Sequence, residues 1–516
     1  MLEIMDTTLR DGEQTAGVSF NADEKVAIAQ LLLGELKVDR VEIASARVSK
    51  GESDAFRAVC SWAASAGCLE KIEALGFVDG GISVDWIADN GGKVINILAK
   101  GSLRHLSKQL RKTVSEHIAD ISTVIEKAAA RGLSANIYLE DWSNGIADSP
   151  EYVFELVDGL KDKAIMRFML PDTLGVLNPW STGRFCRMMR ERYPDLHFDF
   201  HAHNDYGLAT ANCLAAAEAG INGLHVTVNG LGERSGNASV ASVVAGLNDQ
   251  MKIANGLDES SITHVCKYVE SISGIRIPSN EPVVGENVFT QSSGVHADGD
   301  KKDGLYENPL LPQRFGRTRS YALGKMSGKA NIMNNLDKLG IRLTNEQIKL
   351  VTQRVVELGD KKETMSAEDL PFIIADVLKG SHGVAEENIS IVNYSLQLAR
   401  GMRPVAIVKV SIHGEEYEAS SPGDGQYDAF MKALWIIYDK LGKTKPLLKD
   451  YQVSIPPGGK TDALVATTIT WQNGSSEFKT RGIDSDQTEA AIKATVKMLN
   501  IIENLNLQIL NETKDC

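Results

Sequence analysis

The stretch FDFHAHNDYG, at Phe198–Gly207, decides the fold. Polar and apolar side chains alternate over His197–Phe200, which is typical of a β-strand. Residues two apart along a strand share a face, so His201 and His203 are expected to point the same way at the end of this strand. Two neighbouring imidazoles suit a divalent metal better than an apolar core. The competing interpretation is a pair of exposed surface histidines.

Short apolar strands alternate with amphipathic helices over residues 1–254, and eight such units predict a (β/α)8 TIM barrel. An open doubly wound sheet is the competing fold. Polar side chains follow nearly every strand, which favours the barrel, because an open sheet gathers its site at one switch point. The predicted strands are Leu2–Met5, Arg40–Ile43, Ile72–Leu75, Val94–Leu98, Ala135–Leu139, Ile165–Leu170, His197–Phe200 and Gly223–Val228, and the predicted helices include Asp23–Leu36, Leu106–Ala130, Pro150–Leu160 and Leu208–Ala219.

The rest of the chain divides into three parts. Residues 255–329 form a linker whose segment Phe289–Lys302 is rich in functional groups, which is typical of a long active-site loop. Helical patterns indicate a small helical subdomain over residues 330–387. Residues 388–516 contain two βββα units, and this internal repeat predicts an α+β module that senses a ligand or dimerises. The fold class is therefore α/β, with a regulatory α+β domain at the C-terminus.

Composition and charge exclude several classes of partner. The chain has 516 residues, 43% of them hydrophobic and 24% charged, which is typical of a soluble protein of several domains. Its formal net charge of -13 disfavours nucleic acid and anionic membranes. The six cysteines form no CxxC pair, as in a reduced cytoplasmic protein. No signal peptide is visible, and no apolar run reaches the ~18 residues of a membrane span.

Four side chains at the ends of strands one, seven and eight form a candidate metal site: Asp11, His201, His203 and Asn237. These strands are neighbours in a closed barrel, so their ends can meet. One carboxylate with nitrogen and oxygen donors suits Zn²⁺ or Mn²⁺ in an open site. The open positions suit a chelating 2-oxo acid, whose keto group the metal would polarise. Arg10 would neutralise a developing alkoxide, unless it only forms a rim salt bridge with Asp11.

Two further residues are candidates for acid–base chemistry. Glu140 ends the fifth strand in YLEDW, where a carboxylate can orient or deprotonate a reacting group. The alternative for Glu140 is an acid that caps a loop or a helix. His296 is the one histidine of the segment Phe289–Lys302. A loop histidine alone is more often a plain surface residue.

Several motifs together resemble the metal-dependent acyl-CoA condensing enzymes of the isopropylmalate synthase family. The resemblance covers essentially the whole chain and includes the C-terminal repeat, which is similar to the regulatory domain of that family. Some stretches are most similar to the citramalate-forming branch. The family motifs are DTTLRDGEQ at Asp6–Gln14, HAHND at His201–Asp205, GLGERSGN at Gly230–Asn237 and GVHADG at Gly294–Gly299, and the branch-like stretches are Val41–Gly51, Tyr138–Gly145 and Phe315–Gly324.

The resemblance implies a Claisen-type condensation of acetyl-CoA with a 2-oxo acid, followed by thioester hydrolysis. The expected product is (R)-citramalate from pyruvate, in an isoleucine pathway with end-product feedback. The alternative is a 2-isopropylmalate synthase that uses 2-oxoisovalerate in leucine biosynthesis. A barrel lyase or aldolase is disfavoured by the C-terminal repeat. A non-catalytic barrel relic is disfavoured because Asp11, His201, His203 and Glu140 are all present.

The resemblance also implies roles for individual residues in a homodimer. The metal is expected to be Zn²⁺, with Mn²⁺ or Mg²⁺ as alternatives, and the effector a branched-chain amino acid, isoleucine before leucine. His296 and Tyr306 are expected to complete the partner's site in trans. The implied sets are Asp11, His201, His203 and Asn237 for the metal, Arg10, Glu140, His296 and Tyr306 for catalysis, Thr173, Leu75, Leu98 and Tyr138 for the substrate, and Tyr427, Asp428, Ile455, Thr461, Val465 and Gln487 for the effector.

Overall fold

The computed structural model describes residues 2–300, 305–339, 341–360, 365, 369–377, 388–454, 465–474 and 476–512. The chain forms two compact units. The first comprises Met1–Phe289 and Glu307–Arg319, and the second comprises Thr290–Tyr306 and Ser320–Cys516. No helix among the described residues is both long and apolar enough to cross a membrane.

Eight parallel strands close into a barrel in the first unit, with β8 pairing back onto β1. The predicted TIM barrel is confirmed, and every predicted strand is present with shifted ends. Strand β7 runs beyond its predicted end, so that His201 lies inside the strand. The strands are β1 Glu3–Asp6, β2 Arg40–Ser45, β3 Ile72–Phe77, β4 Val94–Lys100, β5 Ser134–Glu140, β6 Ile165–Asp172, β7 Phe198–Ala202 and β8 Gly223–Val226.

Helices surround the barrel and bury their apolar faces against the strands. The predicted helix Leu106–Ala130 is wrong, because the chain turns at Arg111, whose φ is 56°. Thr113 then caps a new helix in a reciprocal capping box with Glu116, and this local signal outweighs the continuous apolar pattern. The helices of this unit are Ala22–Gln30, Lys50–Ser65, Ile82–Asp89, Leu103–His105, Val114–Ala130, Trp142–Asp148, Pro150–Leu160, Pro179–Arg192, Ala209–Glu218, Val240–Gly246 and Ile262–Ser273.

The interior of the barrel is largely polar, in contrast to the branched aliphatic layers that fill most such barrels. Arg40 is only 4% exposed there. Its guanidinium donates to Asp199 Oδ2 at 2.7 Å, to Glu73 Oε1 at 3.0 Å and to Glu3 Oε2 at 3.1 Å. A buried charge is tolerated only when it is paired in this way. The alternation of polar and apolar residues along the strands does not predict this network of ion pairs.

A second buried cation supports the loop that follows β1. The Lys25 ammonium donates to the backbone oxygens of Leu9 at 3.1 Å and Ile43 at 3.0 Å, and to Glu52 at 2.8 Å. Glu13 lies 2.7 Å from the same nitrogen. Lys25 therefore fixes the backbone immediately before Arg10.

The second unit contains the predicted repeat. Each half is a three-stranded antiparallel sheet followed by a helix, and residues of both halves form one apolar core. Gly423 and Gly482 occupy similar places in the two halves, where a Cβ would lie 2.2 Å from Ala429 N and 1.9 Å from Ala490 O. The strands are Ile389–Gln397, Val405–Ile412, Glu415–Pro422, Leu447–Ser454, Val465–Asn473 and Ser476–Asp484, and the helices are Gln426–Lys440 and Gln487–Glu512.

One segment before this repeat is more helical than the sequence predicts. Part of the polar segment that we interpreted as a loop forms the helix Gly294–Asp300. The backbone N–H of Ala297 donates to Ser293 O, at 3.1 Å, in the first turn of that helix. The short strands Thr290–Gln291 and Ser320–Tyr321 pair in parallel. The remaining helices are Lys329–Leu339, Asn345–Asp360 and Leu370–Val377.

Candidate metal and substrate site

Asp11, His201 and His203 meet at the C-terminal rim of the barrel. His201 Nε2 lies 3.0 Å from Asp11 Oδ2 and 3.3 Å from His203 Nε2, and His203 Nε2 lies 3.8 Å from Asp11 Oδ2. Ligand atoms that share an ion at about 2.1 Å lie about 3.0–3.5 Å apart, so the three atoms fit one divalent cation with little adjustment. The three side chains are at most 9% exposed.

Burial and the neighbouring charges keep these three side chains in the protonation states that bind a metal. Burial lowers the pKa of His201, and burial together with neighbouring His201 lowers that of His203 to about 3. Burial alone would raise the pKa of Asp11, but the Arg10 guanidinium and the His201 hydrogen bond hold it well below its ordinary value. At neutral pH the site is therefore two neutral imidazoles and one carboxylate. This is the form in which these groups bind metals.

Asn237 lies beside this triad, but its amide nitrogen faces Asp11. Nδ2 donates to Asp11 Oδ2 at 3.2 Å and to Leu231 O at 3.0 Å. Its Oδ1 is buried and has no hydrogen-bond partner among the described residues. To act as the fourth ligand that the resemblance implies, the Asn237 amide has to turn its oxygen toward the triad.

Arg10 joins the metal residues to the barrel interior. Its Nε donates to Glu42 Oε2 at 2.6 Å and its Nη2 to Tyr138 Oη at 3.3 Å, while Nη1 lies 3.5 Å from Asp11 Oδ1. Burial opposes the charge on Arg10, but Glu42 and Asp11 raise its pKa above its ordinary value. Arg10 is therefore a fixed cation, more firmly held than the simple rim salt bridge considered above.

A cavity of about 190 Å³ opens beside the triad. Leu75, Leu98 and Tyr138 line it, as the resemblance implies for the substrate-binding residues. The structure thus brings nine residues that we predicted from the sequence to one cavity. Its lining is Arg10, Asp11, Gln14, Leu75, Leu98, Tyr138, Glu140, Pro171, Thr173, His201, His203 and Glu233.

Sequence reasoning missed Gln14, Pro171 and Glu233 in this lining, and it also missed Lys100. Lys100 forms an ion pair with Glu140, and both side chains are largely buried. Both residues lie on strand ends, at Cα partner positions of β4 and β5, which is the signal that could have identified the pair. Thr173 accepts a hydrogen bond from Asp141 N at 2.9 Å, which orients its hydroxyl at the cavity edge.

Comparison with known proteins places this site in a family. Residues 1–269 match the family model described as HMGL-like, residues 283–363 the homocitrate synthase post-HMGL domain-like model, and residues 364–503 the LeuA allosteric (dimerisation) domain. The (R)-citramalate synthase CimA of Methanocaldococcus jannaschii is 32% identical over 98% of this chain and 100% of its own length. The chain belongs to the HMGL-like family, in the branch of the citramalate and 2-isopropylmalate synthases. It is an acyltransferase of that branch.

Relatives of both activities are similarly close. A Methanopyrus kandleri protein with the provisional name (R)-citramalate synthase CimA is 36% identical over 91% of this chain and 89% of its own length. The 2-isopropylmalate synthase of M. jannaschii is 31% identical over 97% of this chain and 94% of its own length. Identity therefore establishes the family, and the choice of acceptor has to be argued from the site.

His296 and Tyr306, the catalytic residues implied by the resemblance to this family, belong to the second unit. Their ring centroids lie 4.3 Å apart. Gly299 makes the contact possible, because a Cβ at that position would lie 2.3 Å from the Tyr306 ring. His296 is exposed and Tyr306 is 45% exposed, so both side chains are accessible.

The effector residues implied by the resemblance are only partly described. Ile455 and Thr461 lie outside the described residues. Tyr427 links the two halves of the LeuA-like repeat, since its hydroxyl lies 2.7 Å from Thr495 Oγ1 and its ring 5.5 Å from that of Tyr451. The other three residues are Asp428, which pairs with Lys432 at 2.7 Å and accepts from Asp424 N at 2.8 Å, buried Val465 at the start of a strand, and exposed Gln487 at the start of the last helix.

Replacing His203 with alanine is expected to lower the affinity for divalent metal by at least about a hundredfold, because one of three converging ligands is lost. Metal content after gel filtration and calorimetric titration with Zn²⁺ measure the loss. His264→Ala is the matched control, since its side chain is 61% exposed and lies 3.8 Å from Glu35 instead of facing the triad. A His203→Ala protein that folds and retains one tightly bound metal would contradict this assignment.

Proposed function

We propose that the protein is a homodimeric (R)-citramalate synthase that condenses acetyl-CoA with pyruvate at a divalent metal, with Zn²⁺ as the first candidate. The observation that carries the proposal is the bulky wall that Leu75, Leu98 and Tyr138 form in the cavity beside Asp11, His201 and His203. A 2-isopropylmalate synthase, which must accommodate an isopropyl group in the same place, is the alternative.

The walls of the cavity support the smaller acceptor. Leu75 and Tyr138 are 6% and 2% exposed and pack with Met5, Met169 and Leu98 in one apolar cluster. Leu75, Leu98 and Tyr138 line the cavity, and Met5 behind them accepts from Arg40 of the polar interior at 3.3 Å, so this wall is packed on both sides. Each extra methylene gains only ~1–3 kcal/mol from an apolar pocket, whereas overpacking costs ~1–3 kcal/mol or more. Steric exclusion therefore favours a methyl over an isopropyl substituent.

The contacts of the polar side chains support a role for each of them in this proposal. A metal held by Asp11 and the two histidines would polarise the keto group of the acceptor. Arg10 is oriented by Glu42 and Tyr138 and supplies a fixed positive charge where the keto oxygen becomes negative. The Thr173 hydroxyl, which accepts from Asp141 N, would donate its own proton to the acceptor carboxylate. Glu140, fixed by Lys100, would act with His296 in removing a proton from the acetyl methyl group.

Wild-type enzyme is expected to prefer pyruvate over 2-oxoisovalerate by more than about tenfold in kcat/KM, because the wall of the cavity excludes branched side chains. Thiol release from acetyl-CoA against a panel of 2-oxo acids measures the preference. Leu75→Val should reduce it by enlarging the cavity, and Leu103→Val, at a 44% exposed position outside the lining of the cavity, should not. A wild-type preference for 2-oxoisovalerate would establish the alternative function.

We infer that the chain consists of four parts with separate functions. The first is a catalytic barrel over residues 1–254, and the second is a linker over residues 255–329 that carries His296 and Tyr306. A helical subdomain over 330–387 and a regulatory domain over 388–516 follow. The match to a dimerisation domain supports a homodimer. In this proposal each linker serves the barrel of the partner subunit, as the family resemblance implies.

Mixing inactive His296→Ala and inactive Glu140→Ala proteins is expected to restore activity if His296 acts across the dimer. In a mixed dimer, one barrel has its own Glu140 and receives His296 of the partner subunit. The other barrel has neither residue. Half of the dimers in an equal mixture are mixed, so about a quarter of the wild-type activity is expected. Each variant incubated alone is the control. The absence of any recovery, after tagged subunits have been shown to exchange, would place His296 in cis.

We propose that the βββα repeat binds isoleucine and inhibits the barrel, with leucine as the rival effector. The match to a LeuA allosteric domain supports this role. Tyr427 contacts both halves of the repeat, so a ligand beside it would affect the packing between them. The Asp428 carboxylate is on the same helix turn and is 42% exposed, which leaves it available to pair with an ammonium group.

Asp428→Asn is expected to raise the isoleucine concentration for half-inhibition by about tenfold, since the ammonium loses its charged partner while the hydrogen bond from Asp424 N is kept. Initial rates at saturating substrates measure the change. Asp439→Asn is the control, because Asp439 lies on the same helix, is 64% exposed and pairs only with Lys445 among the described contacts. Unchanged inhibition in Asp428→Asn would remove this residue from the effector site.

A further inference from the structure

His225, on β8, lies between the polar interior of the barrel and the wall of the cavity. Its side chain is fully buried. Its Nε2 lies 3.1 Å from Asp199 Oδ2, and its Nδ1 lies 3.0 Å from Tyr138 Oη. Both ring nitrogens are thus engaged. His225 therefore differs in its contacts from His201. The ring centroid of His201 is only 5.5 Å away, but its Nε2 faces Asp11.

The direction of these hydrogen bonds follows from the charges around them. The Asp199 carboxylate pairs with the Arg40 guanidinium, whose Nη2 lies 2.7 Å from Asp199 Oδ2, and this pairing of two buried groups stabilises the charged carboxylate. An ionised Asp199 can only accept, so His225 Nε2 carries the proton and Nδ1 is the acceptor. The Tyr138 hydroxyl then donates to His225 Nδ1.

The oxygen of Tyr138 is left to accept from Arg10. Glu42 Oε2 lies 3.3 Å from that oxygen, but Glu42 already accepts from Arg10 at 2.6 Å and from Asn96 at 2.7 Å. The single hydroxyl proton therefore goes to the shorter contact, His225. The resulting order is that His225 donates to Asp199, Tyr138 donates to His225, and Arg10 donates to Tyr138.

We propose that His225 is a positioning residue for acceptor selectivity, because it fixes the hydroxyl and the ring of Tyr138 as the wall of the cavity. This inference rests on the function proposed above. The Tyr138 ring packs edge-on against both His201 and His225, with centroid distances of 6.2 and 5.6 Å. Without its anchor at the hydroxyl, the ring can shift and admit a branched acceptor, and Arg10 loses an acceptor that orients its guanidinium.

Two matched variants separate positioning from simple core packing. In His225→Asn the amide oxygen lies near the place of Nδ1, so Tyr138 keeps its acceptor while Asp199 loses its donor. In His225→Gln the amide nitrogen reaches the place of Nε2, so Asp199 keeps its donor while Tyr138 loses its acceptor. Both variants change one buried polar contact, and only the second releases Tyr138.

His225→Gln is expected to lower the ratio of kcat/KM for pyruvate to that for 2-oxoisovalerate by about tenfold, and His225→Asn to change it less than about threefold. In a Tyr138→Phe background, His225→Gln is expected to have no further effect on the ratio, because the hydroxyl is already absent. Equal losses in the Asn and Gln variants, or additive effects in the double variant, would overturn the inference.

Thermal unfolding of the four proteins of this cycle gives a readout that needs no substrate. The changes in Tm should be non-additive across wild type, His225→Gln, Tyr138→Phe and the double variant. The reason is that each of the three variants removes the same hydrogen bond. Additive changes would refute the contact itself. A wild-type preference for 2-oxoisovalerate would overturn the proposed function, while the coupling in Tm would still report on His225 and Tyr138.

Discussion

The pairing of charges inside the closed barrel is the constraint on which the site depends. Strands that normally bury aliphatic layers here carry carboxylates and guanidinium groups away from water, where each unpaired charge would cost several kcal/mol. Four buried carboxylates share two guanidinium groups, and a divalent cation at the rim would balance the two remaining negative charges. The carboxylates belong to Asp11, Glu42, Glu73 and Asp199, and the guanidinium groups to Arg10 and Arg40.

The same hydrogen bonds continue from one end of the barrel to the other. The links as far as Glu42 join side chains of strands β2 to β5, and Glu42 then orients Arg10, which lies in the loop that follows β1. A site held in this way keeps its geometry before substrate arrives, which lowers the reorganisation that the reaction requires. The links run from Arg40 to Glu73, Asn136, Asn96, Glu42 and Arg10.

Features that depend on residues close together in the chain could be predicted from the sequence, and contacts between residues distant in the chain could not. Alternation identified the eight strands, and the spacing of His201 and His203 at the end of β7 identified two residues of the candidate metal site. Arg111 was missed because apolar periodicity alone cannot reveal a left-handed turn. Lys25 was missed because its four oxygen partners are distant in the chain and a lone lysine in an amphipathic helix normally faces water.

The shared hydroxyl of Tyr138 has a consequence for how this barrel can diverge. A smaller residue at 138 would widen the cavity, but it would also leave His225 with an unused acceptor in a dry interior, at a cost in stability. Change at 138 is therefore expected to be accompanied by change at 225, so that the two positions vary together among homologues. Selectivity for the acceptor then depends on a pair of residues on two different strands. A change of selectivity through single substitutions has to pass through a variant that is less stable than the starting protein.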